Sequence, residues 1–231
     1  MRIEPLAIPH AFRIWPEHHH DNRGRFFEAL RYEALSEAIG YPFRVGQVNY
    51  SVSKRNTLRG IHTTELPPGQ AKLVTCVRGA AIDIAVDLRV GSPTFGQYEV
   101  TQQDPESGVA VYMADGVGHA FLAPTDDTCM SYICAEEYVP GTMIDVDARD
   151  PELGLPLPLT EPPSMSEKDA NAPSVAEAVA SGRLPTWEDC LEYYQRLADG
   201  TAGIGTAGAN GSRSDNGNGA SLTASGQGDR R

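Results

Sequence analysis

Two ionisable side chains lie close together in a stretch of sequence that is otherwise typical of β-strands. His62 ends the run Leu58-Arg59-Gly60-Ile61-His62, and Lys72 stands inside the apolar stretch of residues 71–77. A charged side chain is rarely buried unless it is paired or functional. The pattern therefore predicts a pocket for an anion that also contains a titratable base.

Each of these residues also has a structural explanation when it is considered alone. A lone histidine is more often a hydrogen-bonded structural residue than a base, and Lys72 could be an edge residue or half of an ion pair. Strict alternation would place Arg59 and His62 on opposite faces of a strand. Gly60 between them permits a β-bulge that would turn one of them. The residues by themselves leave these alternatives open.

A pair of amides falls on another predicted strand. Residues 43–53 are predicted to be extended, with Phe43 and Val45 on the inward face. Gln47 and Asn49 follow on that face, where buried amides need hydrogen-bond partners. The partners are either a ligand or the two amides themselves.

Two further candidates follow in the next strands. His119 lies in a turn that enters a strand, and Tyr132 lies in a later apolar segment, where core packing is the default explanation. No metal is expected, because residues 43–138 contain no two histidines separated by one residue. Residues 1–199 also lack G-x-S-x-G, Walker A and G-x-G-x-x-G motifs.

Composition excludes several classes of function. The chain has 231 residues, 40% of them hydrophobic, which is enough for one large core. A net charge of −12 opposes broad binding to nucleic acid or to an anionic membrane surface, and no apolar run approaches the ~20 residues of a membrane span. Four cysteines without a C-x-x-C pair, and no signal peptide, predict reduced thiols in the cytoplasm.

The chain is predicted to hold one domain, residues 1–199, followed by a tail. Residues 200–231 are rich in Gly, Ser and Asn and contain no aromatic residue, so they cannot bury enough surface to fold and are predicted to be disordered. Within the domain, period-two alternation broken by Gly and Pro predicts an all-β sandwich or barrel.

Three peripheral helices are also predicted, at Tyr32–Ile39, at residues 174–181 and at residues 186–198. Thr186 is the predicted N-cap of the last helix, with Asp189 three residues later. The apolar side of that helix is predicted to carry Trp187, Leu191, Tyr194 and Leu197.

Six motifs in sequence order resemble the dTDP-4-dehydrorhamnose 3,5-epimerase family, over residues 5–195. They are Asp21-Asn22-Arg23-Gly24-Arg25-Phe26-Phe27-Glu28, Gln47-Val48-Asn49-Tyr50-Ser51, Leu58-Arg59-Gly60-Ile61-His62, Asp87-Leu88-Arg89 with Gly91-Ser92-Pro93-Thr94-Phe95-Gly96, Gly118-His119-Ala120-Phe121, and Ser166-Glu167-Lys168-Asp169-Ala170. The resemblance implies a cupin-type jelly roll, a homodimer, no metal and no cofactor. It also implies a dTDP-4-keto-6-deoxyhexose as substrate, inverted at carbon 3, carbon 5 or both.

The resemblance further implies a role for each matching residue. His62 would be the general base, Asp169 the carboxylate that orients it, Tyr132 the acid on the opposite face, and Lys72 the cation beside the enolate oxygen. The positions that would line the nucleotide-sugar site, some of them reaching across the dimer, are Arg23, Glu28, Gln47, Asn49, Arg59, His119 and Lys168. Arginines suit the diphosphate, because a guanidinium binds phosphate oxygens in a bidentate manner.

Three departures from the family pattern concern the sugar and nucleotide contacts more than the core chemistry. They are Leu157-Pro158 in place of Trp-Pro, Met143 where a glutamate is expected, and Thr63-Thr64 where an aromatic residue often follows the histidine. Segments such as Asp126-Asp127-Thr128 look most like the branch that serves deoxysugars of actinobacterial antibiotics.

Two other functions fit the same motifs. One is a 3,4-ketoisomerase acting on the same dTDP-4-keto sugar, and the other is a non-catalytic cupin that binds a sugar nucleotide. The presence of both His62 and Tyr132 favours epimerisation.

Overall fold

The computed structural model describes residues 1–201, which form thirteen β-strands and four α-helices. The strands are β1 (Arg2–Pro5), β2 (Ala11–Trp15), β3 (His18–Asp21), β4 (Gly24–Phe27), β5 (Gln47–Ser53), β6 (Thr57–Thr64), β7 (Lys72–Arg78), β8 (Ala81–Asp87), β9 (Tyr98–Gln103), β10 (Ala110–Met113), β11 (Val117–Ala123), β12 (Thr128–Cys134) and β13 (Met143–Asp145). Residues 202–231, which make up most of the predicted tail, lie outside this range.

The helices are α1 (Tyr32–Ile39), α2 (Glu167–Ala170), α3 (Val175–Ala180) and α4 (Trp187–Ala198). The three predicted helices are confirmed, and capping residues explain where α3 and α4 begin. Ser174 and Thr186 each accept a hydrogen bond from the backbone N–H three residues later, which satisfies an N–H group that the helix leaves free. The single turn of α2 was not predicted, since four residues are too few to show a helical period.

The predicted buried side of α4 is wrong at one position. Leu191 is 40% exposed, and the helix instead buries Cys190, Tyr193 and Tyr194. Tyr193 and Tyr194 donate their hydroxyl protons to the backbone carbonyls of Pro68 and Asp115. These hydrogen bonds orient the helix so that Leu191 faces solvent.

None of the helices in residues 1–201 has both the length and the apolar composition that crossing a membrane requires.

Two antiparallel sheets form the jelly roll, and the predicted all-β class is confirmed. One sheet has six strands in the order β1-β2-β10-β7-β12-β5, and the other has five in the order β13-β6-β11-β8-β9. Strands β3 and β4 form a separate hairpin.

The core has three parts, which together define the inner and outer faces of each sheet. Val74, Met113, Phe121 and Met130 belong to a cluster drawn from both sheets, so this cluster fills the space between them. A second cluster packs the five-stranded sheet against α3, and a third packs the six-stranded sheet against α1 and α4. Leu58 and Ile61 of β6 belong to the second cluster and therefore point away from the interior.

A buried ion pair joins the end of β8 to the rest of the molecule. The guanidinium of Arg89 donates to both carboxylate oxygens of Asp87 at 2.8 Å, and both side chains have no exposed surface. Arg89 also donates to the carbonyl of Pro9 and lies 4.6 Å from the ring of Trp187 in a cation–π contact. The pair therefore connects the N-terminal segment, the sheet and α4.

We expect Arg89→Met to lower the free energy of unfolding by about 3–5 kcal/mol, because the substitution leaves Asp87 buried without its cation. Urea denaturation followed by circular dichroism measures this difference. Arg31→Met is the control, since it removes only the exposed pair with Glu28 and should cost less than about 1 kcal/mol. Equal losses in the two variants would contradict the interpretation.

Candidate active site

His62 reaches the interior because of a bulge in β6. His119 of β11 pairs with His62 and Phe121 pairs with Arg59, so Gly60 and Ile61 lie opposite a single residue. Gly60 has φ +96°, and a Cβ at this position would lie 2.4 Å from the carbonyl oxygen of His119. The bulge predicted from Gly60 is therefore present, and it lets both Arg59 and His62 face the space between the sheets.

His62 is held by the carboxylate of Asp169. The distance from His62 Nε2 to Asp169 Oδ1 is 2.7 Å, and Asp169 lies in α2, where its backbone N–H donates to Ser166 Oγ. Burial raises the pKa of Asp169, but the hydrogen bond and charge of His62 outweigh burial, so the pKa lies below its ordinary value. An ionised carboxylate only accepts, so Nε2 carries the proton and Nδ1 is free to act as a base.

Lys72 is a buried cation in the middle of the six-stranded sheet. Strand β7 lies between β10 and β12, so Lys72 is not at an edge, and its ammonium makes no hydrogen bond or ion pair with any of residues 1–201. Burial lowers the pKa of Lys72, while Cys134 and Asp115 partly offset this shift. Neither structural explanation for this lysine holds within the described chain.

Tyr132 enters from the same sheet as Lys72. Its hydroxyl lies 3.0 Å from Ser51 Oγ, and its ring meets the ring of His119 edge-on with 5.9 Å between centroids. Burial raises the pKa of Tyr132 to about 12. The phenol is therefore protonated at neutral pH and can serve as an acid.

His119 is paired with a carboxylate that sequence analysis missed. Its Nε2 lies 2.6 Å from Oδ1 of Asp83, and both side chains are buried. Asp83 interrupts the run of Ile82 and Ile84, and a charge at a position flanked by core residues was the signal that could have revealed it. We call the space lined by His62, Lys72, Arg59, His119 and Tyr132 the chamber.

The prediction for Gln47 and Asn49 is partly wrong. The strand begins at Gln47, Val45 is exposed, and Phe43 packs against Tyr112 on the outer side of the sheet. Gln47 donates to Asn49 at 2.8 Å, but β5 is an edge strand and Asn49 is exposed within this chain. The two amides therefore bind each other without being buried.

Arg59 precedes His62 on β6, and Lys168 precedes Asp169 on α2. Arg59 is partly buried and donates to Ser53 Oγ at 3.1 Å. Lys168, in α2, is half exposed and lies 2.9 Å from the carboxylate of Asp145, a residue that sequence analysis also missed. Asp145 belongs to no recognisable sequence motif. It matters only because strand pairing places it opposite His62 on the neighbouring strand.

Arg23 and Glu28 are not brought to the chamber by their own chain. Arg23 is 85% exposed at the tip of the β3–β4 hairpin and pairs with Asp21, while Glu28 pairs with Arg31. Neither residue makes a hydrogen bond or ion pair with a chamber residue within residues 1–201.

Three side chains within residues 1–201 lie close enough to share a metal ion. They are His62, Asp145 and Asp169, whose nearest donor atoms lie within 4.8 Å of one another. Nε2 of His62 is already bonded to Asp169, and Asp145 is already paired with Lys168. The donor atoms are therefore engaged in a proton-transfer and ion-pair arrangement, which fits acid–base chemistry better than metal binding.

A partly open cavity of about 140 Å³ lies outside the chamber, between α4 and the outer side of the six-stranded sheet. Its lining includes Asp115, whose pKa burial raises to about 6. This cavity is separated from His62 by the six-stranded sheet, so its carboxylate acts on the chamber only through its charge on Lys72.

Comparison with known proteins finds a matching family model and similar proteins. The family model described as dTDP-4-dehydrorhamnose 3,5-epimerase matches residues 5–177. The chain is 44% identical over 197 residues to a dTDP-4-dehydrorhamnose 3,5-epimerase of Mycolicibacterium smegmatis, covering 85% of this chain and 97% of that protein.

Two crystal structures are similar as well. One is a double mutant, His to Asn and Tyr to Phe, of ChmJ, a 3'-monoepimerase from Streptomyces bikiniensis in complex with dTDP; it has a TM-score of 0.82 and 44% identity, covering 85% of this chain and 99% of ChmJ. The other is NovW, a 4-keto-6-deoxy sugar epimerase from the novobiocin biosynthetic gene cluster of Streptomyces spheroides, with a TM-score of 0.80, 46% identity and coverage of 82% and 95%.

We expect Asp115→Asn to be more stable than the wild type by about 2–3 kcal/mol at pH 7, with the gain shrinking towards zero at pH 4. A buried carboxyl with a raised pKa binds a proton more tightly in the folded state. The wild type therefore loses stability as pH rises from about 4 through 6, and an amide does not. Urea denaturation at several pH values measures this, with Glu188→Gln on the exposed side of α4 as control. An equal gain at both pH values would contradict the expectation.

Proposed function

Because the chain belongs to the dTDP-4-dehydrorhamnose 3,5-epimerase family, we propose that its chamber is the active site. The protein is an isomerase, an epimerase of dTDP-4-keto-6-deoxyhexoses that acts at carbon 3, carbon 5 or both. It belongs to the actinobacterial branch whose members serve deoxysugar biosynthesis for antibiotics. One observation carries the assignment of the site: His62 and Tyr132 enter the chamber from opposite sheets.

His62 takes the proton in the first step. Nδ1 removes the proton from the carbon beside the ketone, the electron pair of that C–H bond forms a C=C bond, and the carbonyl oxygen becomes an enolate. A neutral imidazole with a free ring nitrogen suits this task. Asp169 holds the ring in the required tautomer and stabilises the imidazolium that forms.

Lys72 stabilises the enolate. Its ammonium has no counter-ion bonded to it among residues 1–201, so its charge is available to the oxygen that becomes negative. A preorganised charge in a site that excludes water lowers the energy of the transition state without reorganisation.

Tyr132 completes the inversion. It donates its hydroxyl proton to the carbon from the face opposite His62, and the ketone forms again as the enolate electrons return. The phenolate then takes a proton from solvent, and the imidazolium releases its proton to solvent. Since the raised pKa of Tyr132, about 12, keeps the phenol protonated, it is a donor before catalysis begins.

The remaining predicted residues would bind the nucleotide and sugar. The ChmJ structure contains dTDP, and the histidine and tyrosine changed in that protein are separated by the same number of residues as His62 and Tyr132, which supports the assignment. The residues that we assign to binding are Arg23, Glu28, Gln47, Asn49, Arg59, His119 and Lys168. Acid–base chemistry of this kind requires no cofactor, so we propose none.

We also propose that the enzyme is a homodimer. The outer side of β5 exposes Val48, Tyr50 and Val52, an apolar patch on an edge strand of the kind that another chain usually covers. A partner that covers this patch could also bring its Arg23 and Glu28 to the chamber. The four free cysteines fit a reducing compartment, which supports a cytoplasmic location.

We expect deuterium from D2O to enter carbon 3 of dTDP-4-keto-6-deoxyglucose, with the ketone remaining at carbon 4. The ChmJ and M. smegmatis proteins are both named for inversion at carbon 3, alone or with carbon 5. NMR of the product locates the deuterium, and exchange at carbon 5 as well would show that the enzyme also removes the proton at that carbon. A ketone moved to carbon 3 would indicate the 3,4-ketoisomerase instead.

We expect His62→Asn to abolish exchange and inversion, with a loss of at least about 100-fold, because the base is removed. Tyr132→Phe should retain exchange while losing inversion, since proton removal does not need the phenol. His19→Asn, on the exposed hairpin, is the matched control. If His62→Asn still bound dTDP but exchanged at the wild-type rate, the assignment of the base would be wrong.

We expect the wild type to be a dimer by light scattering and a Tyr50→Glu, Val52→Glu double variant to be a monomer with a loss of kcat/KM of at least about 10-fold. Two buried carboxylates at an apolar interface cost more than the contacts can compensate. Val179→Glu changes an exposed apolar residue of α3 and serves as the control. A fully active monomer would contradict the proposed assembly.

A further inference from the structure

His62 Nε2 has a second carboxylate within reach. Oδ1 of Asp145 lies 3.7 Å from this nitrogen, while Oδ1 of Asp169 lies 2.7 Å from it. Asp145 is 20% exposed, so its charge is only partly screened by solvent. The imidazole therefore has one bonded carboxylate and one that acts through space.

The sheet fixes the position of Asp145. Strand β13 pairs with β6 so that Asp145 lies directly opposite His62, and directly opposed residues of antiparallel strands share a face. The next pair, Ile61 and Val146, exchanges two backbone hydrogen bonds of 3.0 Å, which locks the register. Asp145 is thus as firmly placed as His62 itself.

Asp145 also holds Lys168. The ammonium of Lys168 lies 2.9 Å from Oδ1 of Asp145, the same oxygen that faces His62, and 3.1 Å from Sδ of Met143. Met143 and Asp145 are two residues apart in β13 and therefore share a face. Because Lys168 is half exposed on a single-turn helix, this ion pair is the contact that directs its side chain.

We propose that Asp145 is a positioning residue with two tasks, which rest on the function proposed above. It holds Lys168 at the mouth of the chamber, and its charge helps Asp169 to stabilise His62 after His62 has taken the substrate proton. Lys168 opposes the second task, so the two residues form a balanced pair beside the base.

The charged and titratable groups around His62 come from every neighbouring element. They are Asp145 on β13, Lys168 and Asp169 on α2, His119 on β11 with Asp83 behind it on β8, and Arg59 on β6 itself. Arg59 and His119 line the chamber, and Asp169 and Asp83 are bonded to its two histidines. Of the groups named, only Asp145 and Lys168 can therefore be substituted without removing part of the chamber or a carboxylate bonded to one of its histidines.

Because Asp145 and Lys168 carry opposite charges, we expect their substitutions to shift the pH dependence of catalysis in opposite directions. In Asp145→Asn the imidazolium loses an anion and faces an uncompensated ammonium, so the acidic limb of the pH dependence of kcat/KM should move to lower pH by roughly 0.5–1 unit. In Lys168→Met the anion remains alone, and the limb should move to higher pH by a similar amount. The double variant should return close to the wild-type limb.

The measurement is deuterium exchange at carbon 3 of dTDP-4-keto-6-deoxyglucose, which reports proton removal, followed between pH 5 and 9. We expect exchange by Asp145→Asn at pH 7 to fall by up to about tenfold, because a weaker base removes the proton more slowly. Asp147→Asn is the matched control, since Asp147 is a nearby carboxylate paired with Arg149 and should leave the limb in place. Asp145→Glu should restore part of the rate.

Specific outcomes would overturn the proposal. Unchanged limbs in both single variants, or shifts in the same direction, would show that Asp145 does not act on His62. Urea denaturation of each variant identifies a loss that comes from unfolding, and the opposite shifts cannot arise from it. If His62→Asn exchanged normally, the proposed function would fail instead, so the two failures are distinguishable.

Discussion

The hydrogen bond between His62 and Asp169 connects residues that are 107 positions apart in the chain. It fixes the imidazole in one tautomer, and it attaches the segment after the barrel to the middle of β6. Several local features serve this contact: the bulge at Gly60 turns the ring inward, and Ser166 caps the helical turn that carries the carboxylate. Arg149 donates to the carbonyl of Ala170 and holds the same turn from its other end.

Three of the buried carboxylates are paired with a basic side chain. Asp169 is bonded to His62, Asp83 to His119 and Asp87 to Arg89, so a partner offsets the desolvation of each of the three. Asp115 and Lys72 are not paired in this way within the described residues: burial raises the pKa of Asp115, and no anion is bonded to Lys72. An acidic protein thus keeps one uncompensated cation inside its barrel, at a cost in burial that the rest of the core must offset. Such a charge is useful only where a negative charge develops.

The two sheets also divide the chemistry. The five-stranded sheet supplies the base, with Asp145 on β13 and Asp169 on the adjoining helix α2, while the six-stranded sheet supplies the acid and the cation. A planar enolate held between them would meet a proton acceptor on one side and a proton donor on the other, which is what inversion of a carbon requires. Neither sheet alone has both groups, so the site exists only when the jelly roll is closed.

The sequence by itself determined the main strands and helices and several of the positions where they begin or end. Strand alternation, the Thr186 cap and the glycine at position 60 could be read in this way because each acts over only a few residues. It also identified His62 and Lys72 as residues that a strand does not need, and the resemblance proposed Asp169 and Tyr132 as their partners. Tertiary structure alone decided what lies beside them: Asp83 and Asp145 have no motif, Leu191 faces solvent, and Asn49 lies on an open edge. Local patterns reveal a residue's strand and face, whereas its neighbours depend on which strands pair and in what register.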